Sequence, residues 1–395
     1  MLDEPLTFPM PNTGLFDPPE EVLRMREGRP IARVRYPDGA LGWIVTRHAS
    51  VRMVLSDRRF SARKELRSSP LSSVRDTTPA MPGMFTAMDP PGHSRYRRLL
   101  TGQFTVRRMR RLTSRVAQVA EEHLDRMVQA GPPVDLVRAY ATPIPTVMIC
   151  ELLGVPPEYR EGFLHETEQM LRQNITPQEK RQTVARLTEY VGRLVRRKHE
   201  EPGDDVLGGL VGSGELTDQE AANMGFMLLA AGLDTTANML GLGTLALLRH
   251  PDQIPAITDP DRVDNAVEEL LRYLPIIPGT IRAALEDVEV EGVRVKAGES
   301  VMVSLPGGNR DPERFPEPDV LDLDREAGGQ LAFGYGMHQC LGQQLARVEM
   351  KVAFPALFRR FPDLSLAVPV EEVPLRTDMV IFGVHALPVT WSRAC

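Results

Sequence analysis

Cysteine is scarce in this chain. Its 395 residues hold three, Cys150, Cys340 and Cys395. They are far apart and odd in number, so no disulfide framework is implied. A reducing cytoplasm fits such usage better than secretion. The first residues, Met1, Leu2, Asp3, Glu4 and Pro5, form neither a basic nor an apolar run. No signal peptide is expected there, and no anchor of about 20 apolar residues. Positive charge is not in surplus either. The formal net charge is -6, which argues against nucleic acid as the main partner. Repeats and low-complexity tracts are absent. A cytoplasmic monomer, off the membrane, is the expectation.

What is present looks globular. The hydrophobic fraction is 42% and the charged fraction 25%, near the averages for soluble domains. The length would suit two or three domains of about 150 residues. No shift of composition marks a boundary, however. We read residues 1–395 as one mainly α domain with a small β-rich part, large enough to enclose a sizeable cofactor. Strand-like runs cover 31–36 and 42–46, beside a short helix near 19–27. Residues 61–88 are rich in Ser, Thr and Pro and read as a long loop. Successive helices follow from 93 to 250. Two of them, 157–172 and 178–198, are joined by a turn at 174–177 whose Pro177 is a breaker. Another helix is expected over 261–274, strands over 288–295 and 300–304, and a Pro-rich meander to 330. A last long helix starts near Cys340.

The longest helix is informative. Thr217 with Glu220 three residues later forms a capping box. The pattern then runs to His250, where Pro251 stops it. Residues 224–248 are apolar on nearly all faces, so the helix should be buried. A transmembrane span is the competing reading. Asp234, Thr235, Thr236 and Asn238 sit mid-helix, where lipid would penalise them. A helix crossing a large core and carrying polar groups to an internal site fits better.

Chemistry concentrates in FGYGMHQCLG, residues 333–342. Gly334 and Gly336 allow a tight turn with unusual backbone angles. Cys340 then faces the free N–H groups and positive dipole end of the following helix. Those conditions favour a thiolate. Gly342 removes a side chain where a flat cofactor would press. A thiolate bound to iron donates electron density and favours O–O cleavage. Cys150, in an apolar stretch, reads instead as a small buried residue.

This segment resembles the haem-binding signature of the cytochrome P450 family, FGxGxHxCxG, in its soluble bacterial, actinobacterial form. The rest of the chain agrees in order and spacing from Asp89 onward. The resemblance implies the P450 fold, with haem b between the long central helix and the Cys-ligand helix. It implies a monooxygenase that hydroxylates or epoxidises a bulky apolar molecule with O2. Electrons would come from NAD(P)H through a ferredoxin reductase and a ferredoxin. A peroxide-driven oxygenase and a haem-binding sensor or carrier without turnover are the alternatives.

Site residues follow from the same resemblance. Cys340 is the metal ligand, beside Phe333, Gly334 and Gly342. The stretch 231–236, Ala231 to Thr236, resembles the oxygen-activation motif, with Ala231 against the cofactor. A Thr hydroxyl there can bond back to the carbonyl four residues earlier and open the helix. Asp234 and Thr235 would deliver protons as acid and alcohol. Local hydrogen bonding alone could also satisfy them. His93, Arg97, Arg282 and His338 match positions that hold the haem propionates. Gln330 stands where relatives often have His. Glu269 and Arg272, three apart on one helix face, would join Arg325 in a structural network, and Arg314 lies too early for it. Seven arginines (95, 97, 98, 107, 108, 110 and 111) form a basic cluster. It is either a solvated helix face or a docking surface for an acidic electron donor. The substrate-facing segments hold Met81, Met84, Phe85, Leu229, Ile277, Ile381 and Phe382. Flexible and aliphatic side chains of this kind suit a polyketide, macrolide or terpenoid, although the same residues are common in plain cores.

Overall fold

The computed structural model describes residues 4–12, 14–26, 28–104, 106–172 and 175–394. Helices dominate, and the expected elements appear within a few residues of the sequence reading. The short first helix is Glu20–Arg26. The stretch 61–88 is irregular apart from the tight turns Lys64–Leu66 and Phe85–Ala87. The helix pair is Arg160–Leu171 and Pro177–Glu200. Thr176 caps the second helix and forms a capping box with Glu179. Asn174, the start of the expected turn, lies outside the described residues.

The strands form a six-stranded mixed sheet and two smaller sheets, of three and two strands. Leu41–Val45 runs parallel to Ser300–Val303, with Trp43 opposite Val301. Thr280–Ala284 runs antiparallel to the same strand, with Ile281 opposite Met302. This register sets Arg282 beside the internal cavity.

The central helix, Asp218–Arg249, is 32 residues long. Its start is held reciprocally: the Glu220 N–H donates to the Thr217 hydroxyl and the Thr217 N–H donates to the Glu220 carboxylate at 2.8 Å. Leu229, Leu233, Leu240 and Leu245 are at most 1% exposed, so the helix is interior along most of its length. Among the described residues no helix is long and apolar enough to cross a membrane. Two glycines set its distances to neighbours. A Cβ on Gly232 would lie 2.8 Å from the Ile149 side chain, and one on Gly243 would lie 2.6 Å from the Phe354 ring. Each glycine costs about 1 kcal/mol of helix propensity relative to Ala. In return the helices Pro143–Leu153 and Gln343–Arg360 approach closely at two levels, about three turns apart along the central helix.

The helix Gln343–Arg360 contains Pro355. Proline removes one backbone hydrogen bond and normally breaks a helix. Here Phe354, Leu357 and Phe358 are all buried, and their packing holds the helix through it.

Glu269 and Arg272, on the helix Val263–Tyr273, form a fully buried pair. Arg272 Nε donates to Glu269 at 2.6 Å and Nη2 at 2.7 Å. Arg272 Nη1 also donates to the carbonyls of Asn309 and Pro318. Arg325 Nε reaches the same Glu269 carboxylate at 3.2 Å. Arg314 instead stacks on Phe315 and donates to the Gly328 carbonyl. The three charges rivet the helix to the meander before the Cys340 loop.

Candidate active site

The loop before Cys340 is built on two left-handed residues. Gly334 has φ 67° and Gly336 has φ 74°. A Cβ on Gly336 would meet the Leu55 carbonyl oxygen at 2.6 Å, so only glycine fits. The turn closes when the Cys340 N–H donates to the Phe333 carbonyl at 2.9 Å. Gly342 caps the following helix, and a Cβ there would project into open space.

Cys340 is exposed to an internal cavity, which it lines together with Phe333, Gly334 and His338. On the opposite wall are Ala231, Thr235, Thr236 and Met239 of the central helix. Burial pushes the Cys340 thiol up, while the N–H groups of Gly342 and Gln343 and the guanidinium groups of Arg97 and Arg347 pull it down. The helix start alone therefore does not yield the free thiolate expected from the sequence, because desolvation of the cavity outweighs it. A bound metal cation removes that difficulty, since a coordinating thiol is deprotonated outright.

Across the cavity, the Thr235 hydroxyl donates to the Ala231 carbonyl at 2.8 Å. The back-bond is present, yet the helix runs unbroken from Asp218 to Arg249. Gly232 serves the contact with Ile149. The Asp234 carboxylate points away into an ion pair with Arg376, at 2.7 and 3.2 Å. Burial raises its pKa and Arg376 opposes the shift.

Two functional candidates escaped the sequence reading. Arg376 lies 142 positions from Asp234, and no local pattern links them. Glu349 is 2% exposed, with its pKa pushed up to about 8 by burial against a hydrogen bond from Thr236. A signal for Glu349 existed. It falls on the stripe Leu345, Glu349, Ala353, Leu357, whose other members are apolar, so its helical spacing of four marked it as inward-facing.

Among the described residues, the cations at the cavity edge have no carboxylate partner. Arg97 Nη2 donates to the Gln339 carbonyl at 2.7 Å. Arg282 Nη1 reaches only Thr280 and the Ile281 carbonyl, and burial lowers its pKa to about 10. His93 and His338 stack with ring centroids 4.2 Å apart. Both nitrogens of His93 and Nε2 of His338 are buried without a hydrogen-bond partner. Burial and the neighbouring arginines hold His338 at about 3. Orphaned donors beside unpaired guanidiniums call for an anion. A flat group with two carboxylates, its iron at Cys340, meets each of these requirements, so the residues fit haem b.

Gln330 is buried and linked to Glu268 at 3.1 Å, and its oxygen accepts from the Ala332 N–H at 2.6 Å. Glu268 in turn pairs with Arg347, whose guanidinium covers the Phe333 ring. Gln330 thus braces the loop before Cys340.

This chain belongs to the cytochrome P450 family. Residues 261–390 match the family model for cytochrome P450. Cytochrome P450 105C1 of a Streptomyces species is 48% identical over 98% of this chain and 99% of its own length. The crystal structure of CYP105P1 with filipin I superposes with TM-score 0.93 at 39% identity, covering 99% of this chain and 100% of that one. The mycinamicin VIII C21 methyl hydroxylase MycCI from Micromonospora griseorubida, bound to mycinamicin VIII, also reaches 0.93 at 36% identity, over 98% and 100%. The protein is a haem-thiolate P450 monooxygenase, with haem b as cofactor, O2 as co-substrate and electrons that originate in NAD(P)H.

The residues expected to face substrate lie in different surroundings in this P450. Ile277 lines the cavity, together with Ile276 and Thr86. Phe85 and Leu229 are 2% and 1% exposed and belong to the packed core around the helix pair. Met84 packs on the edge of that core. Ile381 and Phe382 belong to the main core. Met81 lies in a separate cleft between Lys64 and Arg181. Apolar periodicity marks burial, and it cannot separate a core position from a cavity wall.

The basic cluster is partly neutralised. Arg95 pairs with Glu220 at 2.6 Å and Arg98 with Glu215 at 2.5 Å. Arg97 turns inward. The side chains of Arg107, Arg110 and Arg111 lie outside the described residues.

Proposed function

We propose that this P450 oxygenates a bulky apolar secondary metabolite, at a C–H or C=C bond, using electrons delivered by a ferredoxin. One observation carries the reading. A cavity has Cys340 on one wall, the Ala231–Thr235 face on the other, and unpaired His and Arg groups at its edge. Haem bound there would supply oxygen activation, which thiolate ligation by Cys340 would favour.

The chain's own groups do the rest. His93, Arg97, Arg282 and His338 would hold the propionates through charge-assisted hydrogen bonds. Thr235 orients a proton donor at its hydroxyl, facing the cavity. Asp234 passes protons inward from the Arg376 pair. Ile276, Ile277 and Met239 exclude water and present an apolar, adaptable surface. The relatives carrying filipin I and mycinamicin VIII support a macrolide or other polyketide as substrate. Arginines of the basic cluster steer the acidic ferredoxin.

The test is spectroscopic. The reduced, CO-bound protein should show a long-wavelength Soret band, which reports thiolate ligation. A panel of macrolides and terpenoids should then include compounds that shift the ferric spin state. A short-wavelength band in the wild type would remove Cys340 as ligand. A panel without any shift would remove the substrate class.

A further inference from the structure

A buried guanidinium, Arg282, and a half-buried one, Arg67, share one acceptor. Arg67 Nη1 donates to the Ile281 carbonyl at 2.9 Å, and Arg282 Nη1 donates to the same oxygen at 3.0 Å. The two nitrogens can therefore be no further apart than those bonds laid end to end. Like charges brought this close, with water largely excluded, repel strongly. A buried cation normally has an ionic partner. Among the described residues no carboxylate lies within ion-pair distance of either group. Asp89 is occupied by the Ser61 hydroxyl at 2.5 Å and the Ala62 N–H at 2.8 Å. Glu65 is held by Arg63 at 2.7 Å. Tyr36, the remaining nearby group, is neutral, with its hydroxyl buried and unpartnered.

The pair has a direction. Arg282 lines the cavity beside His338, and Arg67 is held against it by the shared Ile281 carbonyl. The doubled positive charge therefore sits where the unpartnered imidazoles already call for an anion. We propose that Arg67 is a cofactor-anchoring residue, which joins Arg282 in gripping one haem propionate. This rests on the haem reading above. Sequence alone had no reason to select Arg67, since it sits in the irregular stretch 61–88. Its position gives that stretch a function. The same stretch contributes Thr86 to the cavity wall, so the cofactor carboxylate fastens one side of the substrate chamber.

The experiment is haem transfer from holoprotein to excess apomyoglobin, followed at the Soret band. Wild type, Arg67→Gln and Arg67→Lys would each be loaded with haem and, separately, with haem dimethyl ester. Glutamine keeps a donor for the Ile281 carbonyl and removes only the charge. The expected result is that Arg67→Gln loses haem about tenfold faster than wild type or more, the scale of one charge-assisted bond. Arg67→Lys should fall between the two. With the ester the three proteins should release at the same rate, because the carboxylate is gone. Equal haem loss from wild type and Arg67→Gln would overturn the proposal and leave Arg67 a brace for the strand. So would a difference that persists with the ester. A wild type that holds no haem would overturn the haem reading itself, visible at once as a missing Soret band.

Discussion

Arg376 changes what Asp234 can do. A carboxylate buried mid-helix would ordinarily be driven towards its neutral form. The two bonds from Arg376 hold back that rise. Removing the guanidinium by Arg376→Gln should raise the Asp234 pKa further. The acid limb of coupled turnover against pH should then move to higher pH, and an unmoved limb would separate Asp234 from the proton path. Thr235 is the second test of that path. Thr235→Ala should keep its haem spectrum, while product formed per NADPH falls about a hundredfold or more, the usual scale for a proton-transfer group. The lost equivalents should appear as hydrogen peroxide. Glu349 gives a stability prediction. Its folded pKa of about 8 lies above the ordinary carboxylate value, so the folded state binds the extra proton between the two. Stability then falls as pH rises from about 4.5 towards 8. Glu349→Gln should abolish that slope, so its holoprotein melting temperature should exceed that of wild type at pH 8 and match it near pH 4.5.

Elements behave as units around these residues. The capping box and the two close-approach glycines place the central helix, whose middle lines the cavity together with the Cys340 loop. Glu269 has a different kind of influence. It touches nothing in the cavity, yet it joins the helix Val263–Tyr273 to the meander through Arg272 and Arg325. Glu269→Ala would strand Arg272, a fully buried cation. Denaturant unfolding should show a loss of about 3–5 kcal/mol, the usual cost of breaking a buried pair on one side. A loss under about 1 kcal/mol would mean that the network behaves as a surface pair. The helix Gln343–Arg360 shows how far packing overrides propensity. Pro355 would end a solvent-exposed helix, and it is tolerated among Phe354, Leu357 and Phe358.

On the scale of the whole molecule, charge is unevenly arranged. The chain is acidic overall, with formal net charge -6, while arginines cluster on and after the helix Gly92–Thr101. Arg95, Arg98 and Arg108 are each paired with a carboxylate, so the field they offer a partner is smaller than the count of arginines suggests. Steering by the remainder should still respond to salt. Reduction by a ferredoxin, followed by stopped flow, should slow as ionic strength rises from about 0.05 to 0.5 M, because screening shortens the reach of exposed charges to a few ångströms. A rate independent of salt would remove electrostatic docking.

Much of this protein is legible from sequence because its chemistry is written in short, contiguous patterns. The Gly334, Gly336 and Cys340 loop occupies ten adjacent residues, and its turn can be made in no other register. The Thr217 and Glu220 box and the Glu269 and Arg272 pair are three-residue spacings that any helix brings together. Tertiary structure alone decided the rest. Asp234 meets Arg376, and Arg67 meets Arg282 over the Ile281 carbonyl, across separations for which the chain carries no local code. The same holds for Phe85, Leu229, Ile381 and Phe382, which pack into core while Thr86 and Ile277 face the cavity. A hydrophobic side chain carries the same signal whether it fills space or borders it, and only the assembled packing determines which.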